Sequence, residues 1–174
     1  MSPKSFAIRI FLADGTADGV KIIAKSKWSG RCMVIPRKLF VRESEREELA
    51  APGIYLLVGE GGSANGPTLF IGAADPVSKQ VAQHDTAQER WNLAVTFTSK
   101  KEGLKPAVVH YLQARLLQLA RETKRAELYN QTCIALPPLD AEELAEADLF
   151  LGHLLSICPL LGVTAFEQGE SERC

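Results

Sequence analysis

Gly53-Ile54-Tyr55-Leu56-Leu57-Val58-Gly59 and Thr68-Leu69-Phe70-Ile71-Gly72 are two short apolar runs separated by Glu60-Gly61-Gly62-Ser63-Ala64-Asn65-Gly66-Pro67. Runs of this length, rich in Ile, Leu, Val and aromatic residues, read as β-strands, and the Gly, Asn and Pro between them reverse the chain without extending a ladder. Asp75-Pro76 follows: Asp can accept the orphan amides of a helix start and Pro fits a first helical turn, so a helix is expected over 76–84. The local order is strand, hairpin, strand, helix.

Working outward from this hairpin, Phe6 to Leu12 alternates with period two if Phe6, Ile8, Ile10 and Leu12 face inward. Asp14-Gly15 then offers a turn before Val20 to Ile23. Arg31 to Pro36 is a third short apolar run, and the charged segment Arg42 to Glu48 reads as a helix or a polar linker. On the other side, Leu93, Val95 and Phe97 alternate with Ala94, Thr96 and Thr98 as a strand that ends in a charged turn. Pro106 suits a first helical turn, and Val109, Leu112, Leu116 and Leu119 recur at helical spacing in a helix running to about Glu127. Asp140 with Glu143 forms a capping box ahead of Leu144, Leu151, Leu154, Leu155 and Cys158, and Pro159 ends that helix. Gln168 to Cys174 reads as a frayed tail.

The 174 residues are 46% hydrophobic and 24% charged, enough for one domain with a substantial core and too few for two independent ones. A net charge of −1 gives no global attraction to polyanions. The charge is uneven, however: residues 1–50 hold ten Lys and Arg against six Asp and Glu, and residues 136–174 hold one against eight. This is either solvated surface or a local nucleic-acid footprint near the basic front. Within that front, Lys25, Lys27, Trp28 and Arg31 could grip phosphate and stack a base, or Trp28 could be structural. Cys32, Cys133, Cys158 and Cys174 lie far apart with no zinc-ligand spacing and read as reduced, mostly buried thiols. With no leader pattern and no apolar run of about eighteen residues, the expectation is a cytoplasmic protein without a membrane partner.

The tripeptides Gly53-Ile54-Tyr55 and Phe70-Ile71-Gly72, with the Asp-Pro-led helix, the strand LAVTFTSK and the segment YLQARL in that order, resemble the GIY-YIG endonuclease family. The resemblance covers most of the chain. It extends to IRIFLADG near the start and ICPLLGV near the end, which look like a bacterial subgroup with added terminal elements. It implies an α/β (α+β) fold with a small central sheet flanked by helices, divided into a β-rich extension over 1–50, a nuclease-like domain over 51–135, and a C-terminal helix with its tail over 136–174. The family's reaction is in-line attack of water on a phosphodiester, assisted by one divalent metal, two tyrosines, an arginine and a metal-binding glutamate.

Matched to that pattern, Tyr55 stands at the first tyrosine. Phe70 stands at the second, without its hydroxyl. Gln80 stands at the arginine, neutral and unable to grip phosphate bidentately. Gln113 stands at the glutamate, where a hard cation such as Mg2+ or Mn2+ would want negative charge, so no metal site is expected there. Asn130 matches a family asparagine on the phosphate-facing side, or is a turn residue.

Val77, Gln80, Val81 and His84 follow i, i+3, i+4, i+7 spacing, so Gln80 and His84 are expected to face inward. His84 could act as a base, contact phosphate, or simply fill core. Lys79 could restore the lost charge if its stem curled back. Glu122 lies on the opposite side of its helix from Gln113, while Asp85 and Glu89 lie near enough in sequence to be considered as replacement carboxylates. Three substitutions that keep shape while removing charge or a hydroxyl imply a scaffold that retains binding and loses turnover. Lys79, Arg90, Lys100, Lys101 and Lys105 are the expected nucleic-acid contacts, with DNA the first partner to consider. The alternatives are an active metal-dependent endonuclease built on Tyr55 and a module that engages a protein partner through the acidic C-terminal helix.

Overall fold

The computed structural model describes residues 4–61, 66–86, 90–101, 103–130 and 133–167. Among these residues seven strands form one open, mostly antiparallel sheet: β1 (Ile8–Leu12), β2 (Lys21–Lys25), β3 (Gly30–Pro36), β4 (Gly53–Gly59), β5 (Thr68–Ala74), β6 (Leu93–Ser99) and β7 (Glu127–Leu128). Their spatial order is β1-β2-β3-β6-β4-β5-β7, and β5 with β7 is the parallel pair. Among the described residues four helices flank the sheet: α1 (Arg37–Glu43), α2 (Val77–Thr86), α3 (Pro106–Thr123) and α4 (Ala141–Ile157). The β-rich first fifty residues continue the same sheet, because β3 pairs with β6 along the full length of both strands.

Strand alternation sorts the core into two layers. Ile54, Leu56, Ile71, Val95 and Phe97 point to the face covered by α3 and α4. Tyr55, Leu57, Met33, Ile35 and Ala94 point to the other, with Phe40 of α1 and Val77 and Val81 of α2. The two central strands are thus buried on both sides, which is why β4 reads as an unbroken apolar run rather than an alternating one. Even the polar positions of β6 are covered, with Thr96 and Thr98 buried.

Several elements depart from the sequence expectations. β1 is an edge strand: of the residues expected to face inward, Ile8 is half-buried against the core, while Phe6, Ile10 and Leu12 are exposed. The charged 42–48 segment is the end of α1 followed by a short 3-10 turn at Glu47–Leu49. Pro76 precedes α2 rather than entering its first turn, the Asp75-Pro76 bond is cis, and the Val77 amide is satisfied by the Ala51 carbonyl at 3.1 Å. α3 ends four residues before Glu127, where Lys124 takes a left-handed conformation (φ 54°) and the chain turns into β7.

The capping box on α4 forms as expected, the Asp140 carboxylate accepting from the Glu143 amide at 2.8 Å. Beyond Ile157 the chain continues as a 3-10 turn containing Pro159, so residues 141–161 make one helical run of 21 residues with a mean hydropathy of 1.5 in its most apolar window. By length and composition this run is long and apolar enough to cross a bilayer, contrary to the sequence expectation. In the fold it packs Ala147, Phe150, Leu151, Leu154 and Ile157 over the sheet. Cys32 and Cys158 are buried and Cys133 is exposed. Burial pushes both buried thiols up, Cys158 to about 12. Gly62–Asn65 of the hairpin loop, Glu89 and the expected frayed tail at 168–174 lie outside the described residues.

Candidate functional site

The glycines of the two tripeptides have a steric cause. Tyr55 sits opposite Gly72 in the β4–β5 register, and its ring lies flat across the neighbouring strand; a Cβ on Gly72 would stand 2.0 Å from the ring. Gly53 sits opposite Thr98, where a Cβ would meet the Phe97 carbonyl at 2.2 Å. With Gly72 bare, the Tyr55 ring reaches Phe70, its centroid 6.0 Å away in a stacked arrangement.

His84, on the last turn of α2, closes this group. Its ring centroid lies 4.5 Å from that of Phe70, and its Nε2 is 3.0 Å from the Tyr55 hydroxyl. Tyr55 itself is only 3% exposed, so its hydroxyl is held by His84 within the layer rather than projecting into solvent. With the imidazole proton on Nδ1, Nε2 accepts from the phenol, an oxygen-and-base pair of the kind used to activate a nucleophile or relay a proton. Phe70 contributes ring packing to this pair and no hydrogen bond.

Gln113 and Asn130 come together elsewhere, at Ile71. β7 ends at Leu128, and the parallel ladder runs Glu127 N–H to Pro67 O and Tyr129 N–H to Leu69 O. The next rung is made by a side chain: Asn130 Oδ1 accepts from the Ile71 amide at 2.7 Å, and Asn130 Nδ2 donates to the Ile71 carbonyl at 2.9 Å. The same carbonyl accepts from Gln113 Nε2 at 3.1 Å. Two side-chain amides therefore complete a strand edge whose residue is fully buried and inaccessible to water.

Gln80 does not join either group. It is exposed, as is Lys79, so the expectation that Gln80 faces inward with His84 fails, while His84 does turn toward the sheet. Gln80 lies at the edge of the stripe, about 60° and 100° round the helix from the buried Val77 and Val81, while His84 lies nearer its centre. Asp85 is held by Arg37, whose Nε donates to its carboxylate at 3.0 Å and whose two terminal nitrogens donate to the Asp85 and Trp91 carbonyls. The guanidinium also stacks over Trp91, and the Trp91 indole donates to the His84 carbonyl at 3.2 Å. This lock fixes the end of α2 carrying His84, and neither Arg37 nor Trp91 was singled out from sequence. Glu122 is exposed on α3. Among the described residues no group of three or more His, Cys, Asp or Glu is placed to hold a metal ion.

The basic residues divide by position. Lys100, Lys101 and Lys105 lie where β6 leaves the sheet and α3 begins, and Lys79 lies in the first turn of α2, which follows the end of β5 beside the start of β4. Arg90 precedes β6, at the opposite end of a strand spanning about 20 Å. All five are exposed. Trp28 is buried, its ring centroid 5.3 Å from Phe150 and 6.1 Å from His153. It borders a cavity of about 770 Å³ that Lys27, Lys101 and Lys105 also line. Comparison of the chain with protein-family models, with curated proteins and with solved structures finds no match.

Proposed function

We propose that the chain is a GIY-YIG-type scaffold with a degenerate catalytic site, which binds nucleic acid, DNA foremost, without cutting it efficiently. The order β4, β5, α2, β6, α3, with β4 between β5 and β6, supports the scaffold part of this reading, as does the contact of Tyr55 with Phe70 and His84. The observation that carries the loss of cleavage is the use made of Gln113 and Asn130. Both side chains are spent on the Ile71 backbone, and Gln113 has no anionic oxygen of the kind a hard cation requires. Gln80 supplies no charge for a phosphate in flight, and removing both the metal ligand and the clamping cation leaves little transition-state stabilisation. The four lysines gathered at one end of the sheet support binding to a polyanion.

A second reading is favoured by one feature. The Tyr55–His84 hydrogen bond is a competent pairing of an oxygen with a base, as an endonuclease using Tyr55 with Mg2+ or Mn2+ would need.

One gel separates these readings: supercoiled plasmid and short duplex DNA incubated with the protein, with and without Mg2+ or Mn2+, across a salt series. Degenerate binding gives mobility shifts that weaken steeply with salt, by a log–log slope of about −0.9 per neutralised phosphate, and no nicking. Metal-dependent nicking that disappears in Tyr55→Phe overturns that reading in favour of an active nuclease. Neither shifts nor nicks overturns both and leaves the acidic α4 as a surface for a protein partner.

A further inference from the structure

We propose that the cavity between the β2–β3 turn, the segment entering α3 and the middle of α4 binds a nucleotide by its terminal phosphomonoester, either free or at the end of a strand. Its volume, about 770 Å³, suits one nucleotide-sized ligand. Lys27, Lys101 and Lys105 line it, and none of them forms an ion pair among the described residues.

The amino terminus of the 18-residue α3 opens beside these lysines. Lys105 occupies its N-cap without a side-chain capping bond, and Pro106 has no N–H. The first intrahelical donor is Val109, and the Ala107 and Val108 amides have no partner among the described residues, with Val108 on the cavity wall. Trp28, 7% exposed, also lines the cavity, and its indole Nε1, buried over Gly30, has no hydrogen-bond partner among the described residues. Next to it Lys27 holds a left-handed backbone at φ 60°, a conformation uncommon outside glycine and concentrated where function demands it.

The opposing charges also fit. Asp140, whose carboxyl is held low first by the Glu143 amide, is committed to capping α4 although it senses Lys105. Glu146 lines the α4 wall, where a carboxylate suits a ribose hydroxyl, and the exposed Leu149 offers an apolar surface for the base. A monoester, carrying about two negative charges near neutral pH against one for an internal diester, matches three ammonium groups and a helix amino terminus better. The strand-end form rests on the nucleic-acid reading above; the free-nucleotide form does not.

The test uses the whole chain and two probes. One is a 3′-labelled short duplex DNA with either 5′-phosphate or 5′-hydroxyl ends, followed by fluorescence anisotropy. The other is AMP against adenosine, followed by calorimetry. The expected result is roughly tenfold tighter binding of the phosphorylated member of each pair. That preference should vanish in Lys101→Ala/Lys105→Ala and weaken in Lys27→Gly, which removes a charge at a backbone conformation glycine adopts freely. AMP binding without duplex binding supports the cavity and overturns the nucleic-acid reading. Duplex binding that ignores the end group, with no saturable AMP binding, overturns the cavity and leaves the nucleic-acid reading standing. Binding of neither probe overturns both.

Discussion

Replacing Asn130 with Ala should destabilise the fold, and the amount can be worked from the geometry at Ile71. The variant strands the Ile71 amide, which donates to Asn130 Oδ1 at 2.7 Å and lies in a residue with 0% exposure, so water cannot take over. A buried donor without a partner costs about 1–3 kcal/mol. The Ile71 carbonyl loses Asn130 Nδ2 but keeps Gln113 Nε2, so little is added on that side. A loss of about 2 kcal/mol is expected, equivalent to a fall in Tm of about 4–8 °C for a chain of this size. Gln113→Ala removes only the second bond to that carbonyl and should cost about 0.5–1 kcal/mol. Together the two changes leave the carbonyl bare as well, so the double variant should exceed the sum of the singles by about 1 kcal/mol. Urea unfolding of the four proteins, followed by circular dichroism, measures the cycle. Strict additivity, or an Asn130→Ala variant within 0.5 kcal/mol of the parent (the usual spread for surface substitutions), would refute the view that these amides complete the strand edge.

Two further outcomes follow from packing and from charge. Gly72→Ala should cost about 3 kcal/mol, because its Cβ would stand 2.0 Å from a Tyr55 ring that is 3% exposed and tied to His84; equilibrium unfolding checks this, and a neutral result would mean that β4 and β5 can separate locally. His153 is held below its ordinary value of 6.5, first by burial and then by the Lys25 ammonium, so the folded state favours neutral imidazole and the unfolded chain binds the extra proton. Its contribution to stability is therefore present above about pH 6.5 and lost as pH falls below it, and His153→Gln should flatten the difference in urea midpoint between pH 7.5 and 5.5.

The strand at Gly53, the hairpin, the strand at Leu93 and the capping box on α4 were legible because each is written in local chemistry: apolar runs, turn residues, and an acid three residues from an acid. The placement of Gln80 was not. The i, i+3, i+4, i+7 pattern groups the four positions without saying which is central: Gln80 lies about 60° and 100° round the helix from the buried Val77 and Val81 and stays in solvent, while His84 lies about 20° and 60° from them and meets Phe70. β1 misled for another reason: period-two alternation reports which residues share a face, yet on this edge strand only Ile8 packs against the core and the residues after it are open on both faces. Arg37 was invisible because its partners, Asp85 and Trp91, lie about fifty residues away and only the sheet brings them together.

Gln113 shows how scaffold and chemistry compete for one position. Its Nε2 donates to the Ile71 carbonyl, a role open to an amide and closed to a carboxylate, which would set like partial charges against each other beside a buried strand. A glutamate there would be free to hold a cation only by giving up that bond. Asn130 sharpens the conflict, because its own bonds to Ile71 bring a second amide to the same carbonyl and fix the strand edge in place. On the proposed reading, the neutral Gln113 at the expected metal position is therefore more than a missing charge: together with Asn130 it has been absorbed into the support of β5. The strand that they hold carries Phe70 on one side of Ile71 and Gly72 on the other, the two residues that seat the Tyr55 ring. Gln113 and Asn130 thus hold in register the strand that seats the Tyr55–His84 pair, although Gln113 lies on α3, over the opposite face of the sheet from that pair.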